Sequence, residues 1–474
     1  MKGLFKKILS SNNFLSLANN GLVAVFAFLS FILLVRMVPQ ETFGEWILFI
    51  TASNFLDMLR FGVTRTAIIR FLSASDADGE KKLIGANNFI NLISTLLLAV
   101  LIGGINIVFN ESVSESGFAM FFAWYPLLSI ITLPFNNAQS ILQAEMKFDK
   151  MLWLRIVNVG SFMLFLALNF FLKAGIEIIL IAYLLTNLAS SLMASVFGWD
   201  GLKLTFKFDK ETVRTVLDFG KYTTGTLIGS NLLKSSDTFI IGLSPFLGTL
   251  GVALYSIPLK LTEIIEIPLR SFTATAFPQM SKASILKNYD EVKLIFYRNG
   301  GGMTILMMML MTISFVFAEE IVTLLGGQDY RITANIFRMF CAYGLLLPID
   351  RFIGVGLDSI NMPQKNFYKV VIMASSNIIG DLVAVFGLSF IIRGVSWIIL
   401  LVNGLAPDSA YNVAHAFSIV KTLELVGFVT ILFTIAGILV GYYYLNKELQ
   451  LSKKAIFVEG FAFIKQLFTM LRKL

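Results

Sequence analysis

The chain has 474 residues, 56% of them hydrophobic and 14% charged, with a mean hydropathy of +0.78 and a formal net charge of +8. Such a composition excludes a soluble enzyme and defines a polytopic membrane protein. The basic residues are dispersed over short connecting segments, a mark of membrane topology rather than of a nucleic-acid surface, and one cysteine, Cys341, and one histidine, His415, exclude an intramolecular disulfide and a thiolate or imidazole metal site.

Residues 1–13 set Leu4, Phe5, Ile8 and Leu9 beside Lys2, Lys6 and Lys7, an amphipathic anchor that runs without a small-residue cleavage site into a first span. Apolar stretches of crossing length follow at 14–36, 44–69, 84–109, 118–144, 151–172 and 174–198. A polar linker over 199–221 separates them from six more, at 222–243, 251–278, 296–318, 333–357, 366–392 and 416–445. Residues 393–415 are apolar in part but read as an outer connection. The tail, 446–474, places Phe457, Phe461, Ile464, Phe468 and Leu471 at helical spacing with Lys453, Lys454, Lys465, Arg472 and Lys473 around them, as in a helix lying in the headgroup layer.

Lys and Arg collect at both ends and after every second span, whereas Arg36, Lys173, Arg331 and Arg393 stand on the opposite side, so both termini are expected in the cytoplasm. The expected fold is therefore an all-α integral membrane protein of about twelve transmembrane helices with amphipathic terminal helices.

The two halves are similar. Residues 133–150, LPFNNAQSILQAEMKFDK, and 347–365, LPIDRFIGVGLDSINMPQK, align Pro134 with Pro348 and Lys150 with Lys365, while Trp46 matches Tyr255 and Asp57 matches Glu266. Six helices per repeat make the repeats parallel, an N-lobe at 14–198 and a C-lobe at 222–445, in a transporter architecture whose substrate site is expected near the midplane between the halves.

Charges at membrane depth carry the functional expectation, because each is costly there. On the eighth helix Glu263, Glu266 and Arg270 fall within about 60° of one another, with Lys260 beside them, and the seventh helix offers Lys234 and Asp237. The alternative role for this stripe is a self-neutralising network between helices. On the second helix Asp57 can pair with Arg60, leaving Arg65 without a local partner, a good phosphate ligand because a guanidinium stays ionised and forks onto oxygens. Asp350 and Arg351 are adjacent on the tenth helix and point about 100° apart, so one of them suffices to face a cavity. Asp381, Arg338 and Lys421 stand alone in their helices, where pairing between helices is as good a reading as substrate contact. No glycine-rich phosphate loop is present, which argues against ATP hydrolysis.

The run LVRMVPQETFGEWILFITASNFLDMLRFGVTRTAIIRFLSAS, with Arg36, Gly44, Trp46, Gly62, Arg70 and Ser73, resembles polysaccharide flippases of the multidrug/oligosaccharidyl-lipid/polysaccharide (MOP) exporter superfamily. SSDTFIIG, VALYSIPLKL and FPQMS are similar to that family's second half; Ala253, where the family has Gly, and Arg60, where an acidic residue is usual, depart from it. The resemblance implies a two-lobed bundle like that of the MATE exporters, a bacterial inner-membrane location, and no enzyme activity or cofactor. It implies the flipping of undecaprenyl-diphosphate-linked oligosaccharide by alternating access, with membrane lipids and other polysaccharide-assembly proteins as partners. Arg60, Arg65, Lys234, Lys260, Arg270 and Arg351 would then bind substrate, and Asp57, Asp237, Glu263, Glu266 and Asp350 would be coupling or cavity carboxylates. A cation-coupled drug exporter of the same fold and a membrane glycan polymerase are the alternatives.

Overall fold

The computed structural model describes residues 12–72, 75–403 and 406–471, and among them it is helical throughout with no strand. The amphipathic segment expected at 1–13 falls almost wholly outside the described residues. The chain divides into two compact units, Met1–Asn231 and Leu232–Leu474.

The first unit holds α1 (Asn12–Met37), α2 (Gln40–Leu72), α3 (Ala77–Val108), the bent pair α4 (Ala119–Ile131 and Leu133–Ala144), α5 (Phe148–Leu172), α6 (Ile176–Val196) and the start of α7 (Lys210–Gly242). Their ends follow local chemistry. Asp76 caps α3 by accepting from the Gly79 amide at 2.9 Å, where the helix's first N–H groups lack partners. Between α5 and α6, Lys173 takes a left-handed conformation while the Asn169 side chain accepts from the Ala174 amide at 3.0 Å. Pro134 has no N–H to give its own helix, and α4 bends by 50° around Thr132. Gly201, at φ +65°, lies so close to Ile84 and Asn88 that only glycine fits. Trp46, Phe162 and Tyr183 form an aromatic core joining α2, α5 and α6, whereas the other side of α3 presents Leu97, Val100 and Ile107 outward, as a lipid-facing surface does. The stretch expected as a linker, 199–221, carries a short turn, Leu202–Leu204, and the first turns of α7.

The second unit contains the rest of α7, α8 (Gly248–Ile285), α9 (Tyr289–Val316), α10 (Gln328–Ser359), α11 (Pro363–Val402), α12 (Pro407–Leu449) and α13 (Lys453–Leu471). Leu269, Met280, Phe352, Ile353, Leu357 and Leu445 make a continuous core shared by α8, α10 and α12. α13 closes on α9 through a glycine crossing: a Cβ on Gly301 would collide with the Ile456 carbonyl, and one on Gly460 would meet the Gly301 backbone.

Each expected span falls on a helix, yet among the described residues eight helices are long and apolar enough to cross a membrane, nine if the two parts of α4 form one span. α7 and α8 do not meet that measure, because Lys234, Asp237, Lys260, Glu263, Glu266 and Arg270 interrupt their apolar faces. The region 393–415 departs from expectation. α11 continues through SWIILLV to Val402, and Pro407, in the first turn where its missing N–H costs nothing, starts α12, so Arg393 and His415 both lie within helices rather than in an outer loop.

Candidate functional site

In the first unit, Asp57 and Arg60 sit one turn apart on α2. Arg60 is fully buried, its Nε donating to Asp57 at 3.1 Å, its Nη1 to Thr95 Oγ1 at 2.9 Å and to the Ser129 carbonyl at 2.5 Å, and its Nη2 to Thr132 Oγ1 at 2.7 Å. Ser129 and Thr132 flank the bend in α4, so this guanidinium caps a helix break and has its donors occupied. The expectation that Arg60 binds substrate meets a physical obstacle: its side chain has no exposed surface. Asp57 also accepts from the Tyr125 hydroxyl of α4 at 3.2 Å and keeps 27% of its side chain exposed.

Arg65, two turns from Asp57 and exposed, reaches Gln143 Oε1 at 3.0 Å. Arg155 of α5, which sequence reasoning passed over, donates to Gln139 Oε1 at 3.1 Å, on the same α4 face one turn earlier. Neither cation has a carboxylate partner among the described residues, and the Gln side chains that orient them are neutral.

In the second unit Glu266 of α8 is the hub. It accepts from Arg270 Nη2 at 2.7 Å and from Arg351 Nη2 of α10 at 3.0 Å, with Lys234 Nζ of α7 at 3.9 Å. Three cations share one carboxylate, and while Glu266 is 11% exposed, Lys234, Arg270 and Arg351 keep 52%, 60% and 42% of their side chains open. Such a group holds excess positive charge on long, partly free side chains, suited to a multiply charged anion. Lys260 pairs with Glu263 at 2.6 Å on the same helix, and the Glu263 carboxylate also acts on Lys234 of the hub.

The adjacent pair on α10 is split as its 100° offset requires. Arg351 turns to Glu266, and Asp350 turns inward to Lys369 of α11 at 2.5 Å, where both are buried. Asp350 is thereby closed off as a cavity carboxylate. Asp237 is buried too, accepting from Tyr255 at 2.7 Å and from Asn377 Nδ2 at 2.7 Å. Asp381, one helical turn beyond Asn377, is a buried carboxyl near enough to Asp237 to interact with it electrostatically, and neither of its oxygens receives a hydrogen bond. Sequence reading treated Asp381 as a lone charge; its i, i+4 spacing from Asn377 was the available signal. Among the described residues no cluster of three His, Cys, Asp or Glu could hold a metal ion.

The units echo one another at the matched carboxylates. Asp57 is bonded by Arg60 of its own helix and by Tyr125 of α4; Glu266 is bonded by Arg270 of its own helix and by Arg351 of α10, the helix whose sequence aligns with that of α4.

This helical fold is one also seen in a solved transporter of the MOP superfamily. It is similar to a multidrug resistance MATE family transporter of that superfamily (TM-score 0.71, 14% identity, covering 90% of this chain and 95% of the other) and to the lipid II flippase MurJ (TM-score 0.69, 15% identity, covering 97% and 92%). Residues 9–284 match the family described as polysaccharide biosynthesis protein, and the chain belongs to that family. It is also 23% identical over 313 residues to the probable low-salt glycan biosynthesis flippase Agl15 of Haloferax volcanii, a match spanning 64% of this chain and 62% of that relative's length.

Proposed function

We propose that the protein is a flippase, not an enzyme, that carries a polyprenyl-diphosphate-linked oligosaccharide across the cytoplasmic membrane for surface polysaccharide assembly. The observation that carries this reading is the Glu266 hub with its three partly open cations, and Arg65 and Arg155 supply a second cationic pair in the first unit. A diphosphate offers several oxygens to such forks, while the isoprenoid tail has no need to leave lipid. The glycan-flippase relative and the family membership support the substrate class. In this reading the carrier is undecaprenyl diphosphate, the membrane is a bacterial inner membrane with both termini cytoplasmic, the partners are other polysaccharide-assembly proteins, and transport proceeds by alternating access.

Asp237 and Asp381 support a coupling role. Two buried carboxyls that interact this closely favour a proton or a small cation beside them. Asn377 and Tyr255 complete an oxygen-and-amide setting that suits a hard monovalent ion better than a transition metal.

A drug exporter for organic cations would need carboxylates in excess, and the hub has the opposite balance. A polymerase would use an extended outer segment, and helix occupies most of 393–415. The deciding experiment uses Arg351→Gln and Arg65→Gln in cells that display the glycan and in proteoliposomes carrying a fluorescent lipid-linked glycan. Loss of display and of flipping at unchanged protein level is expected. Normal flipping in both variants overturns the diphosphate assignment, and drug resistance without flipping favours the exporter.

A further inference from the structure

The tail helix α13 has two faces of different character. Ile456, Glu459, Gly460 and Phe463 form one, packed on the second unit. Gly460 crosses Gly301, Phe463 covers Gly302 and meets the Phe272 ring, and Glu459 pairs with Arg298 at 3.3 Å. Half a turn away at 100° per residue, Lys454, Phe457, Val458, Phe461, Ala462 and Lys465 form a single outward stripe. Phe457, Val458 and Phe461 are 47%, 65% and 62% exposed. The helix has no freedom to roll this stripe inward, because the turn before it is pinned. Leu451 N–H donates to Asn446 at 2.8 Å, and Ser452 N–H donates to the Tyr297 hydroxyl at 2.7 Å.

We propose that this stripe is a docking surface for the anionic headgroup layer of the membrane, a role separate from the flippase reading. Charge complementarity selects that occupant. Glu459, the one acidic residue from Ser452 to the C-terminus, is neutralised by Arg298 on the protein side, so the outward face is apolar at its centre and lysine at both ends. That is the pattern of a helix lying in an anionic interface, with aromatic rings among the upper acyl carbons and ammonium groups at the phosphates. The same helix grips α9 through Gly301 and touches α8 through Phe272, two residues from Arg270, so lipid charge has a physical route to the helix bearing the hub.

The test uses the purified full chain in nanodiscs. A fluorophore is placed on V458C in a Cys341→Ala background, since Cys341 is the chain's one native thiol and is buried. In discs containing phosphatidylglycerol, shallow spin-labelled lipid should quench the probe strongly and aqueous iodide weakly. In phosphatidylcholine discs, or with Lys454→Gln and Lys465→Gln together, iodide access should rise by at least about fivefold, roughly the factor one charge contributes near an anionic surface. The Lys→Arg pair should restore the protection. Iodide quenching in phosphatidylglycerol equal to that of a probe at the exposed Leu286 overturns the proposal. Protection that depends on having two copies per disc, rather than on lipid charge, overturns it in favour of self-association.

Discussion

Arg351 Nη2 donates to Glu266 Oε1 at 3.0 Å, so one carboxylate ties α10 to α8 while also holding Arg270 and facing Lys234. Removing its charge leaves three cations in mutual repulsion. Glu266→Gln is expected to lower stability by about 1–2 kcal/mol, less than for a fully buried pair because its partners are more than a third exposed and screened by solvent. The second change Arg351→Met should recover part of that loss. Thermal unfolding of the single and double variants in detergent measures the coupling.

Arg60 behaves differently because nothing screens it. Arg60→Met strands Asp57 and frees the Ser129 carbonyl at the α4 bend, with an expected cost of about 3–5 kcal/mol. Arg60→Lys keeps the charge but cannot span Asp57, Thr95, Ser129 and Thr132 together, so it should lose most of the same stability. Expression level and melting temperature report both.

Asp381→Asn replaces the carboxyl that interacts with Asp237 by a neutral amide. The variant is expected to fold at least as stably as the native chain and, under the proposed coupling role, to flip lipid-linked glycan at a rate that an imposed proton or sodium gradient does not change. Flipping that responds to the gradient as in the native protein removes Asp381 from coupling.

At the start of the short helix Ala318–Gly326 that follows α9, hydrogen bonds from Arg331 and Arg338 hold the Glu319 carboxyl below its usual range. A carboxylate with a lowered folded value contributes fully above its unfolded value and loses that contribution as pH falls through the folded one. Hydrogen exchange over residues 318–333 should therefore quicken only once pH drops below the ordinary glutamate range. In Glu319→Gln that pH step should vanish.

The helices were legible because apolar runs of crossing length have one outcome in a membrane. α7 and α8 were read from apolar length as well, although their charges dilute that signal. The Asp57–Arg60 pair and the divergence of Asp350 from Arg351 follow from helical angles alone. What connects different helices was not legible. Lys369 under Asp350, Arg155 beside the α4 glutamines and Asp381 against Asp237 all depend on the rotation of one helix relative to another, which a single sequence does not encode locally. The extension of α11 and the early start of α12 were missed because Asn403 and Pro407 look like loop residues over a wider stretch than the one they interrupt.

The buried guanidinium of Arg60 also sets a condition on how the chain is made. Its partner Thr132 is synthesised 72 residues later, and Ser129 69 residues later. At about 5–20 residues per second that is an interval of roughly 4–14 s. Throughout it, α2 carries a cation whose one nearby counter-charge is Asp57. The second helix therefore leaves the ribosome with a guanidinium whose hydrogen bonds are incomplete. Until α4 arrives and bends around it, Arg60 is expected to reach for water at the bilayer edge or at the insertion machinery.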